Sequence, residues 1–301
     1  MSSRPRRRAA GSVVVIGDAG LDITFTLGPL GVDEKRTVVS SVRGVGGTGA
    51  NTAVALRALG TNAELHTSVG TDGLGNVVLA GLRAGGLDTS HVRRVQGSTE
   101  VAVITIEPDG RRHLFVDPGI GYEVSFARAR ELPAPDFIVV THAPPAVADV
   151  ARSRLPNTRL VLALEAGELG NPAWSDAIED AWLVITNEAG AGAAALSQRS
   201  GPEQMIVTQG DRGATVISND RSTAISPLPV ATRDATGAGD VFCAALLHFL
   251  VAGEDLIHAA RLGSVAAGLA VREVGAQVGL PSANEVWAAA RASSVDSAQA
   301  D

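Results

Sequence analysis

Lysine is almost missing from this chain of 301 residues, with Lys35 as its single example. A Walker-type phosphate loop needs a lysine straight after its glycines, and Lys35 follows none, so that nucleotide site is excluded. Cysteine is as scarce, with Cys243 alone, which rules out a disulfide scaffold and leaves that residue to core packing. No apolar run reaches the roughly 18 residues of a membrane span; the longest, around 241–252, contains His248. Positive charge is in deficit, and a formal net charge of −7 argues against a nucleic-acid partner. The one basic run, RPRRR at 4–8, reads as part of a disordered leader over 1–10. It leads into a strand pattern and not into the long apolar segment of a secretion signal. These absences together fit a cytoplasmic enzyme.

What is present is apolar material for a core, 45% of the residues, together with 34 glycines. SVVVI at 12–16 is a continuous β-branched run of the kind buried on both faces of a sheet. A helix is predicted over 49–59 and stops at Gly60; a strand over 63–69 and a helix over 74–84 follow. Further strands are predicted at 137–140, 160–164, 183–185 and 206–208, alternating with Ala-rich helical stretches. That alternation implies one doubly wound α/β domain over 11–291, a mostly parallel sheet with helices on both faces. Two segments break it. Strands at 101–106 and 112–116 flank the turn Pro108-Asp109-Gly110, and with residues 24–43 they read as a small antiparallel flap on the sheet's edge, a lid over 24–43 and 99–117. The Ser/Ala/Asp-rich tail, 292–301, is expected to fray.

The segment richest in chemistry is DATGAGD, 234–240, which runs into apolar residues at helical spacing. A helix start offers unpaired N–H groups and a positive dipole end, and Gly237 and Gly239 let an anion approach them closely. Asp240 in that first turn is an ordinary stabilising choice for a helix. Beside an anion pocket it can also take a proton from a hydroxyl that attacks a phosphoryl group. A second glycine run, GVGGTG at 44–49, satisfies the dinucleotide fingerprint G-x-G-x-x-G. The acidic ribose ligand is missing from the end of the following strand, which closes in Ser68-Val69-Gly70. The run also does not follow the first strand, which leads into Gly17-Asp18-Ala19.

GGTGAN at 46–51 and DATGAGD resemble the two signature regions of the PfkB (ribokinase-like) family of carbohydrate kinases. SVGTDGLGN at 68–76, VITNEA at 184–189, VTQGDRGA at 207–214 and AVREVGAQ at 270–277 agree in order and spacing. The resemblance implies a doubly wound α/β fold with a β lid, and transfer of the γ-phosphoryl of ATP to a sugar or nucleoside hydroxyl with Mg²⁺. It implies Asp240 as base, with the backbone of Gly237, Ala238 and Gly239 as the anion hole. It further implies substrate contacts from Asp22, Gly47 and Asn51, and ATP contacts from Asn187, Thr208, Gly210 and Gly213. Asp234, Thr236, Ala270, Glu273, Gly275 and Gly279 fall where some members bind a monovalent cation such as K⁺, and some pair as homodimers through their lids.

The departures bear on the substrate. Gly190 stands in the Glu place of the family's N-x-x-E motif, with Glu188 as an alternative carboxylate. His142 replaces a sugar-binding Glu, Thr48 a Lys, and Gly279 a Ser; Ser264 stands where adenine contacts are usual. Arg43, Arg93, Arg94, Arg111 and Arg112 read as solvated charges that blunt an exposed strand edge, with phosphosugar contacts as the other reading. Phe25, Phe115 and Tyr122 read as lid packing, with nucleoside stacking as the alternative. A plain pentose, hexose or keto-sugar needs only Asp22, Asn51 and their neighbours. A nucleoside kinase and a non-catalytic sugar or nucleotide sensor stay open beside it.

Overall fold

Val13, Val14, Val15 and Ile16 fill strand β1 (Ser12–Ile16) and are buried on both faces, as central parallel strands require. The computed structural model describes residues 12–30, 36–109, 111–120, 135–154, 158–196, 202–219 and 221–297. The leader 1–10, Lys35, Gly110, Tyr122 and the last residues of the tail lie outside them. From β1 the sheet runs outward through β4 (Asn62–Gly70) to β5 (Val92–Val95) on one side. On the other it passes through β8 (Phe137–Thr141), β9 (Arg159–Ala163), β10 (Leu183–Asn187) and β11 (Gln204–Thr208) to β12 (Ala214–Ser218) and β13 (Arg221–Ile225). All these strands pair in parallel except β12 and β13, which close one edge as antiparallel additions.

Alternation along β1 divides the core. Val13 and Val15 pack on the face carrying α1 (Thr48–Leu59), α2 (Gly73–Ala84), α7 (Ala238–Ala252) and α8 (Leu256–Ala270). Val14 and Ile16 pack on the other, with α3 (Ala146–Arg154), α4 (Ala166–Leu169) and α5 (Ser175–Glu179). Cys243 is buried in α7, as a packing role requires. α6 (Glu188–Leu196) follows β10, and α9 (Ala283–Ser297) runs past the point where the tail was expected to fray. Among the described residues no helix is long and apolar enough to cross a membrane.

The lid is a separate sheet of β2 (Gly20–Leu30), β3 (Arg36–Gly46), β6 (Val101–Ile106) and β7 (Arg112–Asp117), in the order β3-β2-β6-β7. It is not purely antiparallel, because its central pair, β2 and β6, runs parallel. Both strands leave the main sheet outward, β2 after β1 and β6 after β5, so they must point the same way. Arg93 and Arg94 fall outside the lid, on β5 of the main sheet.

Candidate active site

Asp240 sits in the first turn of α7, which Gly237 opens with φ 76. A side chain is excluded at Gly237 twice over, by that left-handed backbone and by Ala276, 2.8 Å from where a Cβ would stand. A Cβ on Gly239 would meet nothing within 4 Å, so the turn faces open space there. The first intrahelical bond is Val241 N–H to the Gly237 carbonyl; ahead of it the Ala238 N–H turns back to the Ala235 carbonyl at 3.3 Å, and the N–H groups of Gly239 and Asp240 are the ones a helix start leaves for an anion. Asn51, buried in α1, donates its Nδ2 to Asp240 Oδ2 at 2.9 Å. Gln277 donates to Asn51 Oδ1, also at 2.9 Å. The amide of Asn51 is thereby held with its N–H₂ toward the carboxylate. Gln277 escaped sequence reading, although it closes the segment AVREVGAQ.

Asp22 lies on β2, opposite Gly44 of β3. Gly46 makes room for it, since a Cβ there would lie 2.0 Å from the Asp22 carboxyl carbon. This is what the glycines of GGTGAN do locally: they let β3 and the start of α1, capped by Gly47, close against β1 and β2. Asp18, which follows β1, accepts from the N–H of Gly49 at 2.9 Å and so anchors α1 from below. Sequence reading had noted Asp18 only as following the first strand.

A set of carboxylates gathers here. Burial pushes Asp240 up to about 8, with Asp18, Glu165 and Asp22 adding to the rise and the Asn51 hydrogen bond opposing it. Burial also pushes Glu100 up to about 8 and Asp22 up to about 6, each helped by neighbouring acids. Asp18 and Glu168 are raised, mainly by burial. His142 stands among them. Its backbone is forced to φ 35 just after β8, and its Nδ1 lies 3.9 Å from Glu168 Oε1. Glu100, Glu165 and Glu168 carry no motif and could not be picked out of the sequence; only folding assembles them.

The other expected residues divide. Thr208, Gly210 and Gly213 form the end of β11 and the turn after it, with Thr208 Oγ1 donating to the Thr186 carbonyl at 3.1 Å. Ser264 is buried, and its hydroxyl goes to the Ser226 carbonyl at 3.0 Å. Asn187 caps α6 by accepting from Gly190 N–H at 3.0 Å. A Cβ on Gly190 would lie 2.0 Å from Thr186 Oγ1 and 2.9 Å from Leu169, so any side chain there would displace both neighbours. Glu188 does not replace the family's glutamate, being engaged at the surface by Arg212 and by Gln209. The N-x-x-E position therefore offers Mg²⁺ no carboxylate.

Asp234 is buried, and its oxygens accept from Thr236 N–H and Oγ1 and from Gly275 N–H, which holds its carboxyl below the usual range against the cost of burial. Ala270 ends α8, and Glu273, Gly275 and Gly279 fall in the turn after it, but the Glu273 carboxylate pairs outward with Arg233 at 3.4 Å. Arg112, on lid strand β7, differs from the other basic residues. It donates to Thr236 Oγ1 and stands 3.6 Å from Asp234 Oδ1. The loop thus has a counter-charge of its own at Asp234.

A doubly wound sheet with a strand-built lid over a carboxylate-lined cleft defines the class, a phosphotransferase acting on an alcohol group. The chain belongs to the family described as pfkB family carbohydrate kinase, whose model matches residues 10–283. Ribokinase of Bacillus subtilis is 26% identical over 287 residues, covering 91% of this chain and 98% of that protein. Arabidopsis thaliana ribokinase complexed with ribose and ATP shares the fold at TM-score 0.80 and 21% identity, over 94% of this chain and 99% of that one. So does Burkholderia thailandensis nucleoside kinase in complex with inosine, at TM-score 0.77 and 21% identity, over 94% and 96%. The chain is accordingly a kinase of the carbohydrate-kinase type.

Proposed function

We propose that this kinase moves the γ-phosphoryl group of ATP to a hydroxyl of a small uncharged sugar, a pentose, hexose or keto-sugar. The observation that carries the reading is the chain Gln277–Asn51–Asp240 at the mouth of α7. Asp240 takes the proton of the attacking hydroxyl. The backbone at Gly237, Ala238 and Gly239 receives the developing negative charge, a role suited to helix N–H groups in a cleft shielded from water. Asp22 is proposed to hold a pair of sugar hydroxyls from the lid side, with Gly47, Asn51 and His142 completing that wall. Thr208, Gly210 and Gly213 form the nucleotide side, with Asn187 fixed as a helix cap beside it. Mg²⁺ is proposed to travel with ATP, with no protein carboxylate at position 190 to receive it.

The carboxyl groups of Asp18, Asp22, Glu100, Glu165, Glu168 and Asp240 favour a neutral acceptor over a phosphosugar, because a carboxyl group, charged or protonated, pairs with hydroxyls, whereas a phosphate is held by cations. A nucleoside remains the second reading, supported by the lid position of half-buried Phe25. A non-catalytic sensor would not need Asp240 held by Asn51.

ADP release across a panel of sugars, sugar phosphates and nucleosides tests these readings. Neutral sugars should lead, and Asp240→Asn should lose on the order of 10²–10⁴ in kcat on the best of them. A variant that kept full activity would overturn the role of Asp240. A panel in which no acceptor raised ADP release above that variant would favour the sensor.

A further inference from the structure

We infer that Glu64, His66 and His91 form a second site, for a divalent metal ion of the zinc class, on the face of the sheet away from the kinase cleft. Glu64 and His66 are two residues apart on β4, so their side chains leave the same face. The register Thr67↔Val92 between β4 and β5 puts His91 level with His66 across the parallel pair. The imidazoles stack with centroids 4.7 Å apart, which is the spacing of neighbouring strands. The face is fixed by the β1 pairing, where Glu64 is level with Val14 and His66 with Ile16. Both of those residues belong to the core cluster opposite α1 and α7. The site is therefore separated from Asp240 and Asn51 by the sheet.

The three groups lie within reach of a common ion. His66 Nε2 lies 3.7 Å and His91 Nε2 3.6 Å from Glu64 Oε2, and one ligand atom from each residue falls within 4.8 Å of the others. These separations exceed a hydrogen bond, so the carboxylate does not simply tie the two rings together. They come close to the spacing an ion imposes. Bonds of about 2.0–2.1 Å to a tetrahedral zinc hold its ligand atoms roughly 3.4 Å apart, within a few tenths of an ångström of the two Glu64–histidine separations, and the stacked imidazoles would turn at χ1 and χ2 to share the ion. Glu64 Oε2 is sealed from solvent and takes no hydrogen bond among the described residues, an expensive state for a carboxylate oxygen that a cation would relieve. The donor set selects the ion's class. Two imidazoles and one carboxylate suit Zn²⁺ or Co²⁺, whereas Mg²⁺ and Ca²⁺ prefer oxygen alone. His91 and Glu64 keep partial exposure, which gives the ion a way in and leaves a fourth position for water. The ion would also bear on the fold near the cleft, since the His66 carbonyl accepts from Gly17 N–H at 3.3 Å, next to Asp18.

The test uses the tag-free full chain, stripped with a chelator and titrated with Zn²⁺ by calorimetry, then with Co²⁺ by visible absorption. One ion per chain should bind with micromolar or tighter affinity, and Co²⁺ should show the intense bands of four-coordination. His91→Ala and Glu64→Gln, at the rim of the cluster, should each weaken binding at least tenfold while keeping the wild-type circular dichroism. His258→Ala, which removes a surface histidine paired with Glu254 at 2.6 Å, should bind as the wild type does. Asp240→Asn should also keep its ion, because the kinase cleft is not involved. Absence of stoichiometric binding, equal binding by His91→Ala and Glu64→Gln, or loss of the ion in Asp240→Asn would each overturn the assignment.

Discussion

At the scale of single residues, the reading of Asp240 turns on the two amides that hold it. The Asn51 Nδ2 hydrogen bond favours the ionised carboxylate, while burial and the surrounding acids favour the neutral one. A base must be ionised, so kcat/KM should rise with pH as Asp240 titrates near its value of about 8. Asn51→Ala removes the group that favours ionisation, and its rising limb should move to higher pH. Gln277→Ala only frees the Asn51 amide to turn, so its limb should move less and kcat fall about tenfold. Full pH–rate profiles of the three proteins check this; a limb that stayed fixed in Asn51→Ala would show that the bond does not tune the base. Glu100 gives a stability test with its own sign. Its folded value of about 8 lies above the ordinary glutamate value of 4.5, so the folded state holds the proton between those limits. Its contribution is complete below the lower limit and is lost as pH rises through the upper one. Glu100→Gln mimics the protonated form and should therefore raise the melting temperature above about pH 8, by about 2–4 °C per kcal/mol recovered, and change little near pH 4.

At the scale of elements, the lid reaches the glycine turn before α7 through Arg112 of β7, which bonds Thr236 and faces Asp234. We propose that this guanidinium takes the place of a loop-bound monovalent cation, so that rates in K⁺ and Na⁺ should be equal. Arg112→Ala should then lose tenfold or more in kcat/KM, and K⁺ should restore part of the loss if the bare loop can hold it. A wild-type enzyme that ran faster in K⁺ than in Na⁺ would show the cation to be needed after all. Strands and helices of the main sheet could be read from the chain because buried β-branched runs such as SVVVI and glycine stops such as Gly60 leave local marks. β5, sequence VRRV, left none, since two arginines on a short edge strand look like loop. The parallel pairing of β2 with β6 was equally hidden, because it follows from where both strands leave the main sheet. Within the site, Asp240, Asp22 and Asn51 were legible through motifs whose glycines have steric reasons. Glu100, Glu165 and Glu168 were not, because long-range folding alone makes them neighbours, and the occlusion of position 190 depends on Thr186 and Leu169 across the fold.

At the scale of the whole molecule, the lid sheet exposes more apolar surface than a substrate can cover. Leu114, Phe115 and Val116 of β7 are 63%, 61% and 47% exposed, and Val39 of β3 is 68% exposed. Successive strand residues point to opposite faces, so Leu114 and Val116 lie on one side of the lid and Phe115 on the other. A ligand in the cleft can reach one side only. The edges of the four-stranded sheet, β3 and β7, also carry backbone groups suited to pairing with another strand, a feature that soluble proteins cover or blunt. We propose that a second copy covers this surface, joining two chains lid to lid with the acceptor site between lid and sheet. Sedimentation should then give twice the chain mass at micromolar concentration. Val39→Asp and Leu114→Asp should shift the population to monomer without lowering the melting temperature, because neither side chain is buried within one chain. Monomer should also raise KM for the acceptor more than for ATP, since the lid supplies Asp22 while the nucleotide side lies on β11 and α7. Wild-type protein that sedimented as monomer would leave the lid a cover for its own cleft and nothing more.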